Sequence, residues 1–260
     1  MNAIADIAAR RSSRPLTPLP ALDEALERVA RRFHDQIASD LPRVDALCRY
    51  VERYRGKMLR PTLVLLSGLA SAPRSNPERP FDEPLITLAA VIEMIHIATL
   101  VHDDVLDEAA TRRGAATLNR LQGNEVAVIF GDYLISQSFH LCSTLDSQKV
   151  ALRIGEVTST VCEGEMLQLA SRGDPGLDEQ TYFAIIERKT AALIAVACEM
   201  GALLAGASPE VVGRFHSYGM ALGSAFQIQD DLLDFVGDQS VVGKDLGKDL
   251  EKGKVTLPVL

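Results

Sequence analysis

The chain has 260 residues, 47% hydrophobic and 24% charged, with no low-complexity tract. These proportions describe a soluble globular protein with room for one large domain with a thick core, or for two small ones. A formal net charge of −8 and a pI near 5.2 argue against a protein that coats nucleic acid, which needs a broad basic face. The four cysteines, Cys48, Cys142, Cys162 and Cys198, stand far apart in apolar neighbourhoods without metal-ligand spacing. They are expected as small core residues in a reducing, cytoplasmic setting.

The opening "MNAIADIAARRSSRPLTPLP" has no continuous apolar run of signal-peptide length, so residues 1–20 are expected as a flexible leader. From Ala21 the series Leu22, Ala25, Leu26, Val29, Ala30, Phe33 recurs every three or four residues and predicts an amphipathic helix. The same periodicity predicts helices at 61–69, 85–107, 126–145, 150–169, 180–204 and 209–235. Period-2 alternation persists nowhere, and the breakers gather in stretches such as "SAPRSNPERP" and "SRGDPG". The expected fold is therefore all-α, a bundle of long helices without an internal repeat.

The run Leu85 to Val101 is apolar enough to suggest a membrane span, but it is short, Glu93 and His96 interrupt it and aspartates close it. A helix at the centre of a bundle is the expectation. Its aspartate-bearing end, "HDDVLDEAATRRG", then lies at the mouth of something enclosed.

Residues four apart share a helix face, so Asp103 and Asp107 aim at one place beside Asp104. Such a group repels itself unless cations share it. By itself it reads equally as a solvated helix end. The same spacing returns in "FQIQDDLLDF" as Asp230, Asp231 and Asp234, again closing a largely apolar helix. Two such motifs predict a paired site. Hard oxygen ligands without histidine or cysteine point to Mg²⁺, which leaves coordination positions for phosphate oxygens. Basic residues flank both motifs: Lys57 and Arg60, Arg112 and Arg113, Lys189 beside Thr190, then Lys244, Lys248 and Lys254 among glycines. Arginine suits bidentate phosphate contact and lysine acts as a mobile point charge.

These motifs, "GKMLRP", "HDDVLDEAATRRG", "GNEVAVIFGDYL", "CEGEMLQ", "RKTAAL", "GSAFQIQDDLLDF" and "GKDLGKDLEKGKVTLP", together resemble the trans-prenyl diphosphate synthases. The resemblance runs from about Gly56 to Leu260. It implies a single-domain isoprenoid-synthase bundle of antiparallel helices around a central active-site cavity, over residues 21–260. It also implies further helices after "GKVTLPVL", beyond the present 260 residues.

By the same resemblance, Asp103, Asp107 and Asp230 hold Mg²⁺, three ions per site, against an allylic diphosphate, with Asp104, Asp231 and Asp234 completing the two motifs. Arg112, Lys189, Gln227, Lys244 and Lys254 are implied to contact that diphosphate. Lys57, Arg60, His96 and Arg113 are implied to bind isopentenyl diphosphate. Lys189, Thr190 and Gln227 would support the allylic cation with dipoles and the departing diphosphate would take the proton.

Early-stopping relatives place a bulky aromatic one turn before the first motif, where this chain has Ala98 and Thr99. The implied product is therefore long, of the quinone side-chain type. A short-chain farnesyl or geranylgeranyl synthase and a non-catalytic regulatory subunit are the alternatives. A class I terpene cyclase fits less well, because it replaces the second aspartate motif. A homodimer is implied, with at most peripheral membrane contact when product leaves and with no nucleic acid partner.

Overall fold

The computed structural model describes residues 20–71, 81–237, 247 and 251–260. Apart from Pro20, the leader expected at 1–20 lies outside these residues, as do Lys244 and Lys248. Ten α-helices follow in chain order: α1 Pro20–Ile37, α2 Pro42–Val51, α3 Leu59–Ser71, α4 Glu83–Leu106, α5 Leu118–Gln122, α6 Asn124–Ser143, α7 Gln148–Ala170, α8 Glu179–Ile186, α9 Ala192–Leu204 and α10 Pro209–Val236. The fold is the expected all-α bundle.

Several helices start where side chains satisfy the orphan backbone N–H groups of a first turn. Asp82 accepts from Leu85 N and opens α4, Asp178 accepts from Thr181 N and opens α8, and Ser208 accepts from Val211 N and opens α10. Pro84 and Pro209 add a preset φ at the first helical positions.

Two helices form the centre. Helix α4 packs against α1, α3, α6 and α9, while α9 packs against α3, α7 and α10. From Leu85 to Ile95 every residue of α4 is buried, and α9 is buried from Ala192 to Cys198. Helix α4 is long and apolar enough to cross a membrane, but 78% of its most apolar window is buried inside the protein, as a bundle's central helix must be.

Small residues set the helix spacing. A Cβ on Gly219 would stand 2.5 Å from Ala195 Cα, and one on Gly223 2.5 Å from Ala191 Cα. Helix α10 therefore lies almost backbone to backbone along α9.

Five features depart from the sequence expectation, the first being α5, whose five residues are too few to show a period. Helix α2 was not anticipated; it has only ten residues, of which Cys48 and Val51 alone are buried, too few turns for a clear period. Thr111–Arg112 and Ala115–Ala116 form a small antiparallel hairpin, too short to show alternation. The expected single helix over 180–204 contains a π-helical turn at Glu187–Ala191 between α8 and α9. Cys48, Cys142 and Cys198 are core residues, but Cys162 is exposed on α7, because it falls beside Glu163 on that helix's outer face.

Candidate functional site

The π turn connects α4, which ends in the first aspartate motif, with α10, which carries the second. Lys189 Nζ lies 3.9 Å from Asp103 Oδ2 at the end of α4 and makes closer ion contact with Glu165 on α7. The next residue, Thr190, donates its hydroxyl to Gln227 Oε1 on α10 at 2.8 Å. One extra residue in a helical turn re-aims side chains, and here it directs two neighbours to different partner helices. Gly164 makes room: a Cβ there would stand 2.5 Å from Lys189 N and 2.8 Å from Arg188 Cβ.

The first motif divides its carboxylates between two jobs. Asp104 is buried at 1% exposure and receives Arg112 through Nε at 3.0 and 3.1 Å and Nη2 at 2.8 Å. The hairpin makes this possible, since Arg113 and Gly114 both have positive φ, as a two-residue type I′ turn requires. Arg112 consequently points back to Asp104, while Arg113 reaches the carbonyl of Tyr54. Burial opposes the Arg112 charge, but Asp104 outweighs it and raises the guanidinium's pKa.

Asp103 and Asp107 are both half-buried. Burial pushes Asp103 up to about 6 despite the opposing charge of Lys189. Asp107 is also penalised by burial, yet Lys254 and Lys252 hold it below the usual carboxylate range. Arg172 Nη2 and Lys254 Nζ both reach Asp107 at 2.8 Å, and Lys252 stands at 3.4 Å. Residues 251–260 are held over the site by Gly173 N donating to Gly253 O at 2.8 Å, with Val255 and Leu257 packed near Tyr182.

In the second motif, Asp231 and Asp234 are buried and Asp230 is half-buried. Asp231 accepts from Tyr182 Oη at 2.6 Å and from Gln227 Nε2 at 2.8 Å. The middle aspartate of each motif is thus occupied by protein donors.

A basic group surrounds the middle of α4. Glu93 is buried, which raises its pKa against the lowering influence of Arg60, Arg113 and Arg55. Burial holds His96 well below the ordinary histidine range, with Arg60 and Arg113 adding to the effect. Arg60 has a buried Nε without a hydrogen-bond partner. Lys57 is exposed at the rim. Thr99 is half-buried in line with His96 and Asp103, its hydroxyl donating to His96 O at 2.7 Å, whereas Ala98 is completely enclosed by the core.

Sequence reasoning missed Tyr182, Glu165, Arg172, Lys252 and Glu93. "CEGEMLQ" contained Glu165 as a motif residue without a role, and Glu93 was visible as an acid inside an apolar run. Arg172 and Tyr182 carried no local signal, since their partners are 65 and 49 residues away.

Among the described residues no group of three or more His, Cys, Asp or Glu side chains forms a ready-made metal cage. Asp103 and Asp107 nevertheless offer half-buried carboxylate oxygens, and burial of Asp103 outweighs the charge that Lys189 brings to it. This set fits Mg²⁺, which completes its shell with water and phosphate oxygens.

The polyprenyl synthetase family model matches residues 42–260. The chain is 40% identical over 226 residues to the octaprenyl diphosphate synthase of Escherichia coli K12, an alignment covering 87% of this chain and 68% of that protein. It superimposes with a TM-score of 0.83 on a decaprenyl diphosphate synthase from Rhodobacter capsulatus, at 36% identity and covering 98% and 74% of the two chains. The TM-score is also 0.83 for a polyprenyl synthase from Caulobacter crescentus CB15 complexed with calcium and isoprenyl diphosphate, at 34% identity and covering 98% and 72%.

Proposed function

The chain belongs to the polyprenyl synthetase family and is a trans-prenyltransferase of its long-chain type, and from that premise we propose how its residues carry out the reaction. The substrates are an allylic diphosphate and isopentenyl diphosphate. Residues 21–260 act as one catalytic domain, working in the cytoplasm as a homodimer. The partly apolar outer face of α6, where Ile129 is 67% exposed, supports that pairing.

Asp103, Asp107 and Asp230 would hold Mg²⁺, three ions per site, which when bound neutralises the diphosphate and makes it a better leaving group. Lys189, Arg112 and Lys254, with Lys244, supply further positive charge where negative charge grows as the carbon–oxygen bond breaks, so they stabilise the transition state more than the ground state. Asp104 holds Arg112 in place for this. Asp231 does the same for Gln227, and Asp234 completes the second motif.

Lys57, Arg60, His96 and Arg113 receive isopentenyl diphosphate. His96 stays neutral there and donates or accepts a hydrogen bond without adding charge. Thr190 and Gln227, beside Lys189, turn oxygen dipoles toward the allylic cation. The double bond of isopentenyl diphosphate attacks that cation, and a proton passes to the departed diphosphate. Exclusion of water preserves the cation until attack. Thr99 lies on the Asp103 face of α4, about 6 Å along the axis at ~1.5 Å per residue, and leaves the tail's path open.

The observation that carries this reading is the π turn, which sets Lys189 against the first motif and Thr190 against the second motif's helix. Asp103→Ala and Asp230→Ala test it. Each should lower turnover by orders of magnitude with helix content unchanged in circular dichroism. Full turnover in both variants would refute the metal assignment.

A further inference from the structure

Tyr182 lies on α8, and its phenol reaches across to α10. Its Oη is 2.6 Å from Asp231 Oδ2, and the two residues are only 2% and 4% exposed. The ring is packed near Leu167, Phe183 and Ile228, with Phe183 edge-on at 5.5 Å. A phenol deep in an apolar cluster needs a partner for its hydroxyl, and a buried carboxylate needs donors.

The chemistry of the groups fixes the direction of every hydrogen bond in this chain. A carboxylate only accepts, so Tyr182 must donate to Oδ2 and Gln227 must turn its amide nitrogen to Oδ1, at 2.8 Å. With Nε2 committed to Asp231, Gln227 presents Oε1 to Thr190, and an amide oxygen only accepts. The Thr190 hydroxyl must therefore donate to it, at 2.8 Å. The Thr190 hydrogen is drawn away into the protein, and its lone pairs are what remains for a ligand beside Lys189. Tyr182 acts here by position: its bond to Oδ2 holds the carboxylate so that Oδ1 stays within reach of Gln227 Nε2. Once that carboxylate rotates away, Gln227 can reverse its amide and Thr190 can turn its hydrogen outward, placing positive dipole ends where a cation must form.

We propose that Tyr182 is a positioning residue that, through Asp231, fixes the polarity of the Gln227–Thr190 chain so that oxygen lone pairs face the allylic cation. This deepens the reading above, because it rests on Thr190 and Gln227 supporting that cation. It makes a specific separation: Tyr182 governs ionisation of the allylic substrate, not its binding.

The test is Tyr182→Phe, which keeps the ring and removes only the donor. The expected result is a single-turnover condensation rate lowered roughly 10- to 100-fold, the scale of misorienting groups at a reacting centre. The dissociation constant of a non-ionising allylic thiolodiphosphate, measured by calorimetry with Mg²⁺, stays within about twofold of the unmodified enzyme. Adding Tyr182→Phe to Asp231→Asn lowers the rate by less than about twofold more, since residues acting through one another are not additive.

An unchanged rate in Tyr182→Phe, a parallel loss of analogue binding, or full additivity with Asp231→Asn would overturn the proposal. If Tyr182→Phe does not fold, Asp231→Asn, whose amide can keep the Tyr182 bond through its oxygen while turning its nitrogen to Gln227 and so reversing the chain, must show the same split between rate and analogue binding; its absence overturns the proposal equally. The underlying reading fails separately, by unchanged single-turnover rates in both Thr190→Val and Gln227→Leu.

Discussion

Lys189 Nζ stands 3.9 Å from Asp103 Oδ2, and that approach depends on the absence of a side chain at Gly164, over which the Lys189 backbone nitrogen lies. A methyl group on Gly164 has no space unless α7 and the π turn separate. Overpacking of this kind costs about 1–3 kcal/mol. Gly164→Ala is expected to lower the denaturation midpoint and to reduce kcat more than tenfold, because the displaced lysine is one of the cations proposed for the leaving group. Urea unfolding and steady-state kinetics on the same preparation check both effects.

Arg112 and Asp104 form a different kind of pair, with the carboxylate enclosed and the guanidinium only partly exposed. Removing the cation leaves a buried charge uncompensated, at a cost of about 3–5 kcal/mol. Arg112→Met should therefore be strongly destabilised in urea titrations and low in activity. Arg112→Met combined with Asp104→Leu removes the stranded charge and should recover much of the stability without recovering activity.

His96 provides a pH signature. Burial and the neighbouring arginines depress its pKa well below 6.5, so the folded protein keeps it neutral where the unfolded chain takes a proton. The unfolded state then binds more protons below about pH 6.5, and stability falls as pH falls, by up to about 1.4 kcal/mol per pH unit for one group. The contribution is fully present above that pH. His96→Gln should flatten this part of the stability profile, measured by urea unfolding between pH 5 and 7.

Ala98 and Thr99 are adjacent in sequence but face different surroundings. Thr99 is half-buried on the Asp103 side, whereas Ala98 is wholly enclosed by core. Thr99→Phe is expected to shorten the product while the protein stays folded. Ala98→Phe should instead lower thermal stability through overpacking. Chromatography of the products and thermal melts separate the two outcomes.

Much of this was legible in the chain itself. The long amphipathic helices announce themselves through their period, and the duplicated aspartate spacing marks both helices of the candidate site. The π turn was not legible, because "ERKTAAL" consists of strong helix formers apart from Thr190 and the extra residue is accommodated by Gly164 and Gly223 on other helices. Nor did the sequence distinguish Asp104 and Asp231 from their neighbours. That distinction depends on Arg112 arriving from a hairpin and Tyr182 from another helix, relationships that spacing along one helix does not contain. The exposed Cys162 shows the reverse error: an apolar neighbourhood in sequence includes residues on both faces of a helix.

The most direct measurement is incubation of the purified chain with labelled isopentenyl diphosphate, farnesyl diphosphate and Mg²⁺, followed by chromatography of the product. The account predicts all-trans products of about C30 or longer, formed only when the divalent ion is present. Products that stop at about C20, or equal turnover in excess chelator, would contradict it.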